Sequence, residues 1–375
     1  MLSKAPMRGA YQRKLEELAA LPGVDRLTVI VPPYWNEPRV GRLRLEKVYT
    51  HGYDLIVEPM VLNGSYHAHF YPRLAHWVKT LRPDLFHVDE ESFNLATVQG
   101  IRLAGRYDAR AVFYNWANIY KRLPPPFSYF EQYSFRHAAG ALVGLQEAGR
   151  ILERKGFSKP IEICPQFGVD MAIIHRTEPP PAFARPAVFT IGYAGRLVEE
   201  KGLALLIEAG AKLKGDFRLV FIGTGTMRES LINQAEGLGL SERVEFVPNV
   251  PNMEMPAYLS GLDVLVLPSL TRPNWKEQFG RILIEAMACG VPVVGSSSGE
   301  IPEVIGQAGL IFPEGNAEAL ATRLQSLLDD QALRQSLAER GLCRVQQNFT
   351  QAEIARRHFR LYQRAMNYQP ASANI

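Results

Sequence analysis

The stretch that decides the fold is Glu277-Gln-Phe-Gly-Arg-Ile-Leu-Ile-Glu285-Ala-Met-Ala-Cys-Gly290. Its apolar residues recur at the spacing of an amphipathic helix that begins near Gly280, and Gly290 is a typical stop for such a helix. The N–H groups at a helix start carry partial positive charge, so they suit a phosphate or a sugar hydroxyl. Glu277 and Glu285 add two carboxylates that can accept hydrogen bonds from vicinal hydroxyls. Two glutamates alone, however, are more often a solvated helix face.

Short apolar runs and amphipathic stretches alternate on both sides of this segment, which is typical of an α/β protein with parallel sheets. The strands expected in the N-terminal half are Leu27–Val31, Leu55–Val61, Leu85–Val88, Ala111–Tyr114, Ala141–Gly144 and Ile161–Cys164. Those expected in the C-terminal half are Val188–Tyr193, Arg218–Ile222, Val244–Val247, Val264–Leu267, Val291–Val294 and Leu310–Phe312. Helical patterns fill the gaps between them, and Gln351–Tyr368 is the last helix.

A length of 375 residues is typical of two domains of about 150 residues or more each. A proline-rich stretch at 179–186 lies inside the expected linker, 173–186. We therefore expect the α/β architecture to consist of two Rossmann-like, doubly wound domains, 1–172 and 187–350, that face a central cleft. The C-terminal segment 351–375 is expected to pack back on the first domain. Ligands of such sheets bind at the carboxyl ends of the strands, where the strand order reverses.

Composition excludes several classes of protein. Hydrophobic residues make up 47% of the chain and charged residues 21%, which argues against disorder. The net charge of +4 is mild for a general nucleic-acid binder, so no nucleic-acid partner is expected. Three widely spaced cysteines without a C-x-x-C pair favour a reducing compartment. The N-terminal residues lack the apolar core of a signal peptide, and no apolar run is long enough to span a bilayer. These features predict a cytoplasmic protein.

The positive charge is concentrated in the N-terminal half. Residues 1–170 contain 22 Lys and Arg against 17 Asp and Glu, whereas the rest of the chain contains 20 against 21. A solvated surface explains this asymmetry; an acidic partner or a membrane surface is the alternative. The basic residues that lie near aromatic residues in the sequence form two groups: Arg39, Arg42, Arg44 and Lys47 with Trp35, and Lys79 and Arg82 with Trp77. A peripheral position at the inner face of the membrane therefore stays an alternative.

The segment Glu277–Glu285 resembles the E-x7-E signature of the family 4 glycosyltransferases, retaining enzymes of the GT-B fold in the group 1, glycogen synthase-like superfamily. Further segments match that family in the same order along the chain. They are Pro165–Asp170, Gly192–Gly202, Phe221–Gly225, Leu262–Ser269 and Gly290–Val294. The resemblance is strong over residues 140–349 and weaker before them. It implies a glycosyltransferase that takes its sugar from a nucleoside-diphosphate sugar, with UDP- and GDP-sugars as the leading candidates.

The resemblance also implies roles for individual residues. Arg196 and Lys201 would neutralise the diphosphate, whose negative charge grows as the glycosidic bond breaks. Glu285 would bind the ribose and Glu277 a hydroxyl of the donor sugar. The remaining residues expected around the donor are Gly195, Gly223, Gly225, Asn249, Val250, Gln278, Phe279, Gly280 and Ile282. Without the family context, Arg196 and Lys201 would be read as surface cations.

Members of this family transfer the sugar with retention of the anomeric configuration and without a metal. The usual account is a front-face displacement in which the donor phosphate helps to take the acceptor proton. The sequence has no Asp-x-Asp motif that would hold Mg²⁺ or Mn²⁺, and we expect no metal and no cofactor. His67 and His69 have no identifiable third ligand, and such pairs are more often surface or cleft residues.

The N-terminal half departs from the family pattern in two places. Many members have a Gly-Gly loop after the first strand; here only Gly9 remains, with Arg8 beside it as a further cation. Many members also have a histidine after the fourth strand, at about the position of Asn115, so the hydrogen bond can survive without a titratable group. Glu91 is either an acidic residue in the first turn of a helix or part of the acceptor pocket. The expected acceptor is a sugar, a lipid or a small molecule.

Two other functions compete with sugar transfer. Gly223-Thr-Gly225-Thr-Met-Arg228 begins like a dinucleotide-binding fingerprint, but it has Arg228 in place of the third glycine and follows the second strand of its domain. This makes a dehydrogenase the weaker alternative. The stronger alternative is a GT-B protein with another function. Such proteins include sugar-nucleotide epimerases and proteins that bind nucleotide sugars without turnover.

Overall fold

Alternating helices and parallel strands build two units along this chain. The computed structural model describes residues 1–38, 41–181, 183 and 188–369. The first unit consists of Met1–Gly168 and the chain from Gln351 onward, and the second is Val169–Thr350. Of the segment expected as a linker, residues 173–181 and 183 lie in the second unit, and residues 182 and 184–186 fall outside the described residues. Arg39, residue 187 and the last six residues, 370–375, also fall outside them.

The first unit contains eight strands among its described residues. Its elements up to Gly168 are α1 (Arg13–Ala19), β1 (Thr28–Val31), β2 (Tyr34–Glu37), β3 (Gly41–Arg44), β4 (Asp54–Val57), α2 (Leu74–Leu81), β5 (Leu85–Val88), α3 (Leu95–Arg106), β6 (Arg110–Asn115), α4 (Phe127–His137), β7 (Gly140–Val143), α5 (Gln146–Arg154) and β8 (Ile161–Ile163). The strand expected over Leu55–Val61 ends earlier, at Val57. Pro59 follows there, and proline cannot donate to a strand ladder.

The parallel strands of the first unit are joined through Leu2. Strand β1 pairs with β4, and β5 to β8 pair in chain order. Leu2 forms parallel bridges to Ile30 on one side and to Val88 on the other. Its N–H donates to the carbonyl of His87 at 2.8 Å, and its carbonyl accepts from the N–H of Asp89 at 2.8 Å. The first strand position is therefore at Leu2, and the neighbouring Ala5–Met7 forms a short 3-10 turn.

An antiparallel hairpin in the first unit has no counterpart among the expected strands. Strands β2 and β3 pair with Tyr34 opposite Arg44 and Glu37 opposite Gly41. Neither strand has a continuous apolar run, since they read Tyr-Trp-Asn-Glu and Gly-Arg-Leu-Arg. The Arg42 guanidinium lies over the ring of Tyr34, 3.8 Å from its centroid. Part of the basic N-terminal sequence therefore belongs to this hairpin.

The second unit is one parallel sheet with helices along its connections. Its elements are β9 (Phe189–Ala194), α6 (Leu203–Gly210), β10 (Phe217–Ile222), α7 (Arg228–Gly237), β11 (Val244–Val247), α8 (Met255–Ser260), β12 (Val264–Leu267), α9 (Arg281–Ala288), β13 (Val293–Ser296), α10 (Ile301–Ile305), β14 (Leu310–Phe312), α11 (Ala317–Asp329) and α12 (Gln331–Asn348). The strand order is β11-β10-β9-β12-β13-β14, all parallel. Every residue of β9, β10, β12 and β13 is buried, as expected for strands covered on both faces.

The strand order of the second unit reverses at β9, whose neighbours are β10 and β12. At such a point the two connections leave on opposite faces of the sheet, so a crevice opens at the carboxyl ends of the strands. The loops that follow β9, β10 and β12 all begin at this edge.

The last helix of the chain packs on the first unit. Helix α13 (Gln351–Met366) presents Ile354, Leu361 and Ala365 to Val112 and Leu142 of the sheet. Its Arg360 also pairs with Glu162 of β8, with 3.1 Å between Nη2 and Oε1. Within the described ranges, no helix has both the length and the apolar character needed to cross a membrane.

Candidate functional site

The loops after β9 and β10 are interlocked at the carboxyl edge of the second unit's sheet. The N–H of Leu197 donates to the carbonyl of Thr224, and the N–H of Met227 donates to the carbonyl of Leu197, both at 2.9 Å. The N–H of Gly195 donates to the carbonyl of Ile222 at the same distance. These bonds hold the two loops against each other at the point where the strand order reverses.

Glycine is required where these loops approach. Gly223 has φ of +134°, and a Cβ atom there would lie 2.0 Å from the carbonyl oxygen of Gly195. A Cβ atom on Gly225 would lie 2.2 Å from the carbonyl oxygen of Leu197. The sequence analysis predicts both glycines as nucleotide contacts. The structure shows that the close contact between the two loops requires glycine at both positions.

Lys201 and Glu277 form the most tightly paired charges of this edge. Lys201 Nζ lies 2.5 Å from Glu277 Oε2, and Ser269 Oγ donates to the same oxygen at 2.7 Å. The Lys201 side chain is 15% exposed and the Glu277 side chain 9%. The Lys201 ammonium also lies 5.0 Å from the ring centroid of Trp275. The pair is thus fixed by a hydroxyl and an aromatic ring and largely shielded from water.

Ser269 and Gly299 support Glu277, and sequence reasoning did not give them these roles. The carbonyl of Ser269 accepts a hydrogen bond from Ser296 Oγ at 2.6 Å, which anchors the loop end. Gly299 has φ of +55°, and a Cβ atom there would lie 2.0 Å from the carbonyl oxygen of Glu277. The signal in the sequence was weak, because serine and glycine are common in loops and these residues meet only in the folded chain.

Glu285 lies inside α9 and pairs with Arg281, with 2.8 Å between Oε1 and Nε. Burial raises the pKa of this carboxyl, and the Arg281 guanidinium opposes that shift. Gly280 precedes the helix with φ of +69°, and no side chain among the described residues caps the helix start. The geometry therefore places a half-buried carboxylate one turn from open helix N–H groups.

The other residues predicted around the donor differ in their exposure. Arg196 is 59% exposed, and its Nη2 lies 3.5 Å from Glu200 Oε1, so it is a solvated cation. Gln278 and Asn249 are exposed, whereas Val250, Phe279 and Ile282 are half-buried and pack against the core. All of them belong to the second unit, at or near the carboxyl ends of β9 to β12.

In the first unit, Glu91 and Arg8 line a cavity of about 410 Å³, but Gly9 and Asn115 do not. Glu91 Oε1 accepts a hydrogen bond from the N–H of Trp116 at 2.9 Å. Burial, together with the nearby Glu90 carboxylate, raises the pKa of Glu91 to about 7. Asn115 is buried at the end of β6, with its Oδ1 3.4 Å from Ser92 Oγ. The N–H of Gly9 donates to Glu46 Oε2 at 2.6 Å.

The two histidines of the H-x-H pair have protein partners. His67 Nδ1 lies 2.9 Å from Asn94 Oδ1, and His69 Nδ1 lies 2.9 Å from the carbonyl oxygen of Ser65. His69 Nε2 lies 3.5 Å from Glu90 Oε1. These contacts give both rings a place in the hydrogen-bond network of the first unit.

Part of this chain is similar in sequence to known glycosyltransferases. Residues 179–342 match the family described as Glycosyl transferases group 1. A 2-deoxystreptamine glucosyltransferase of Streptomyces kanamyceticus is 28% identical over 239 residues, which are 59% of this chain and 59% of that protein. A GDP-mannose-dependent alpha-(1-6)-phosphatidylinositol monomannoside mannosyltransferase of Mycolicibacterium smegmatis is 36% identical over 153 residues, 39% of each chain. The first curated relatives are matched over about half of their own length.

Solved structures extend the likeness to nearly the whole chain. The crystal structure of Anabaena HepE in complex with UDP covers 96% of this chain and 98% of its own, with a TM-score of 0.71 and 18% identity. At that identity the likeness concerns the fold, and it confirms the predicted GT-B class with its Rossmann-like units. Residues 179–342 therefore resemble the group 1 glycosyl transferase family, and the chain that contains them has the GT-B fold.

Proposed function

We propose that this protein is a retaining glycosyltransferase that moves a sugar from a nucleoside-diphosphate sugar to an acceptor. The observation that carries the proposal is the arrangement of Lys201, Glu277 and Glu285 beside the strand reversal at β9, inside the segment that matches the group 1 family. A cation and two carboxylates at the carboxyl edge of such a sheet suit a diphosphate flanked by a ribose and a sugar.

The chemistry assigned to these residues follows the charge that develops during transfer. As the glycosidic bond breaks, the leaving nucleoside diphosphate gains negative charge, which Lys201 and Arg196 stabilise. Glu277 accepts hydrogen bonds from the donor sugar, and Glu285 accepts them from the ribose. The open N–H groups at the start of α9 face the same negative charge.

The donor is proposed to be a UDP- or GDP-sugar. The HepE structure contains UDP, and the Mycolicibacterium relative is named as GDP-mannose-dependent. Retention and independence of a metal or cofactor are extended from the family resemblance of the Glu277–Glu285 segment. Arg196 and Lys201 supply the positive charge that a metal would otherwise give.

The acceptor is proposed to be a sugar, a lipid or a small molecule recognised by the first unit. The relatives named above include a 2-deoxystreptamine glucosyltransferase and a phosphatidylinositol monomannoside mannosyltransferase. Arg42 and Arg44 on the β2–β3 hairpin would suit a peripheral contact with an anionic membrane if the acceptor is a lipid. A cytoplasmic location is proposed with it, since the three cysteines are free.

The test begins with binding and ends with turnover. Thermal unfolding is followed with UDP, GDP and their glucose and mannose conjugates. A ligand at 100 times its dissociation constant stabilises the protein by about 2.7 kcal/mol, which is readily seen. The stabilising donor is then incubated with and without acceptor pools, and the anomeric proton of the product is read by NMR.

Three outcomes of that incubation speak against the proposal. Inversion at C2 of the donor sugar without an acceptor would indicate an epimerase. Binding without turnover across all acceptor pools would indicate a nucleotide-sugar-binding protein. A product of inverted anomeric configuration would exclude the retaining assignment.

A further inference from the structure

The cavity of about 410 Å³ in the first unit is large enough for a ring-sized ligand, because small-molecule pockets begin at about 300 Å³. It opens where β5 and β6 end, with Asp89–Glu91 after the first and Trp116 after the second. The Lys4–Arg8 segment, the β2–β3 hairpin and Phe167 complete its lining.

Two groups of aromatic rings line this cavity. Tyr11 stacks on Phe167 with ring centroids 4.0 Å apart, and Phe167 lies 6.5 Å from Trp116. The second group is Trp35 and Tyr66, with centroids 5.7 Å apart. Glu37 fixes this second group, since its carboxylate accepts from both the Trp35 indole and the Tyr66 hydroxyl. Such rings offer faces on which the C–H bonds of a saturated ring can lie.

The charges at the base of the cavity are already compensated. Lys4 Nζ lies 2.8 Å from Glu90 Oε2 and 4.6 Å from the ring centroid of Trp35. Asp89 accepts hydrogen bonds from Ser3 Oγ at 2.5 Å and from Gln166 Nε2 at 3.0 Å. A cationic ligand would lie beside Lys4, and an anionic ligand would lie against consecutive carboxyl groups, while Arg8, the other cation of the lining, is exposed to solvent. Both outcomes are unfavourable, so the cavity favours an uncharged ligand.

The cavity also retains hydrogen-bonding capacity. Glu90 is 8% exposed, and its Oε1 has no partner closer than His69 Nε2 at 3.5 Å among the described residues. Glu91 Oε2 likewise has no hydrogen-bond partner within the described part of the chain. A purely apolar ligand would leave these carboxyl oxygens desolvated and unpaired, which is unfavourable for a buried polar group. Hydroxyl groups would satisfy them.

We propose that this cavity binds an uncharged, polyhydroxylated ring, a pyranose or a cyclitol. Its ring would lie on the aromatic faces of Trp116 and Phe167, with hydroxyl groups donating to Glu90 and Glu91. As the acceptor pocket of the reaction, this inference rests on the function proposed above; as a binding site it stands by itself. Glu91 then binds the substrate directly, whereas Glu37 is a positioning residue.

The test measures ligand binding without any donor. Saturation-transfer NMR on the full chain is recorded with myo-inositol and methyl α-D-glucopyranoside at millimolar concentration. Cyclohexylamine, cyclohexanecarboxylate and phenol serve as cationic, anionic and aromatic rings of similar size. We expect transfer to the two polyols and weaker transfer to the other three. A stronger response from a charged or aromatic ring would overturn the assignment of the ligand class, and no response from either polyol would overturn the site.

Variants locate the binding. Trp116→Leu removes one ring face and is expected to weaken polyol binding about tenfold. If Trp116→Leu fails to fold, the isosteric Glu91→Gln and the variant Phe167→Leu replace it. Both are also expected to weaken polyol binding. Trp77→Phe, a tryptophan outside the cavity, is the matched control and should bind like the wild type. Undiminished polyol binding in the folded cavity variants would overturn the location.

Nucleotide binding separates this proposal from the proposed function. UDP and GDP are titrated into the same samples, and Lys201→Ala is compared in both assays. Loss of nucleotide binding with retained polyol binding in Lys201→Ala supports two independent sites. If the wild type binds nucleotide but no polyol, the proposed polyol site is overturned and the proposed transferase function is retained. If the wild type binds polyol but no nucleotide, the proposed polyol site is supported and the proposed transferase function is overturned.

Discussion

Lys201 Nζ and Glu277 Oε2 lie 2.5 Å apart, in contact with the hydroxyl of Ser269 and near the ring of Trp275. In this state the cation and the carboxylate satisfy each other. A diphosphate that binds Lys201 would release Glu277 to accept hydroxyls from the donor sugar. Under the proposed function, donor binding would thus exchange partners within a preformed pair, and no charge would be left buried alone at either stage.

Replacing Lys201 with methionine is expected to weaken UDP or GDP binding about 10- to 100-fold. Hydrogen bonds to charged groups contribute about 1.5–3 kcal/mol, and methionine keeps the side-chain length without the charge. Titration calorimetry measures the change. Lys212→Met is the control, because this lysine pairs with Glu318 on the surface of the same unit. Equal affinities in the wild type and both variants would contradict the role of Lys201.

The affinity for the donor nucleotide is expected to rise with pH through the acidic range. Burial raises the pKa of Glu285, so its carboxylate form appears only as the pH passes that raised value. A carboxylate accepts hydrogen bonds from the ribose more strongly than a neutral carboxyl group does. Calorimetry of UDP binding at several pH values, for the wild type and Glu285→Gln, isolates this effect from titration of the phosphate itself.

At neutral pH, Glu285→Gln should bind UDP more weakly than the wild type does. The difference in UDP affinity between the two proteins should become smaller as the pH falls. Glu236→Gln, an exposed position on α7, serves as the control and should follow the wild type. A gap that stays constant over the whole pH range would show that the charge of Glu285 does not contribute to binding.

Glu91 is expected to make the first unit less stable as the pH rises. Its pKa of about 7 exceeds the ordinary value of 4.5, so between these values the folded state binds more protons than the unfolded state. The stabilising contribution is complete below pH 4.5 and is lost as the pH rises towards 7. The free energy of unfolding of Glu91→Gln, taken relative to that of the wild type, should thus increase by about 1–3 kcal/mol between pH 5 and pH 8.

Urea unfolding of the wild type and Glu91→Gln at the two pH values measures this difference. Glu153→Gln, an exposed glutamate on α5 of the same unit, is the matched control. It should show no change between the two pH values. If Glu91→Gln behaves like this control, the carboxyl group is not held in its neutral form by the fold.

Gly223→Ala is expected to destabilise the second unit by about 2 kcal/mol or more. The backbone at this position has a φ that alanine rarely adopts. In addition, the Cβ atom would meet the carbonyl oxygen of Gly195. Gly237→Ala on α7 is the control, since a Cβ atom there meets no atom of the described residues within 4 Å. That change should be neutral or stabilising by up to about 1 kcal/mol. Denaturant unfolding compares the two, and equal stabilities would show that the loop contact yields easily.

Much of the second unit could be predicted because its signals are contiguous in sequence. Glu277 and Glu285 stand on one loop–helix segment, and the apolar strands are buried on both faces, so their runs are unbroken. Ser269 and Trp275 acquire their roles only through side-chain contacts within the folded loop. Spacing along the chain carries no record of such contacts.

The first unit was harder to predict for physical reasons. The β2–β3 hairpin carries polar and basic residues, so its backbone pairing leaves no apolar pattern. The cavity draws its aromatic residues from positions spread between 11 and 167, namely Tyr11, Trp35, Tyr66, Tyr114, Trp116 and Phe167. The structure places Asn115 next to Ser92 and outside the cavity lining, whereas Glu91 lines the cavity. Residues at the ends of two paired strands can thus face different surroundings.

The return of α13 to the first unit has a consequence for synthesis of the chain. Val169–Thr350 is contiguous, so this unit can complete its core as soon as it has left the ribosome. Residues 1–168 must wait, because Ile354, Leu361 and Ala365 supply part of the core around Val112 and Leu142. The unit made first is therefore the one finished last, and during elongation it exposes an apolar sheet face that a chaperone could protect.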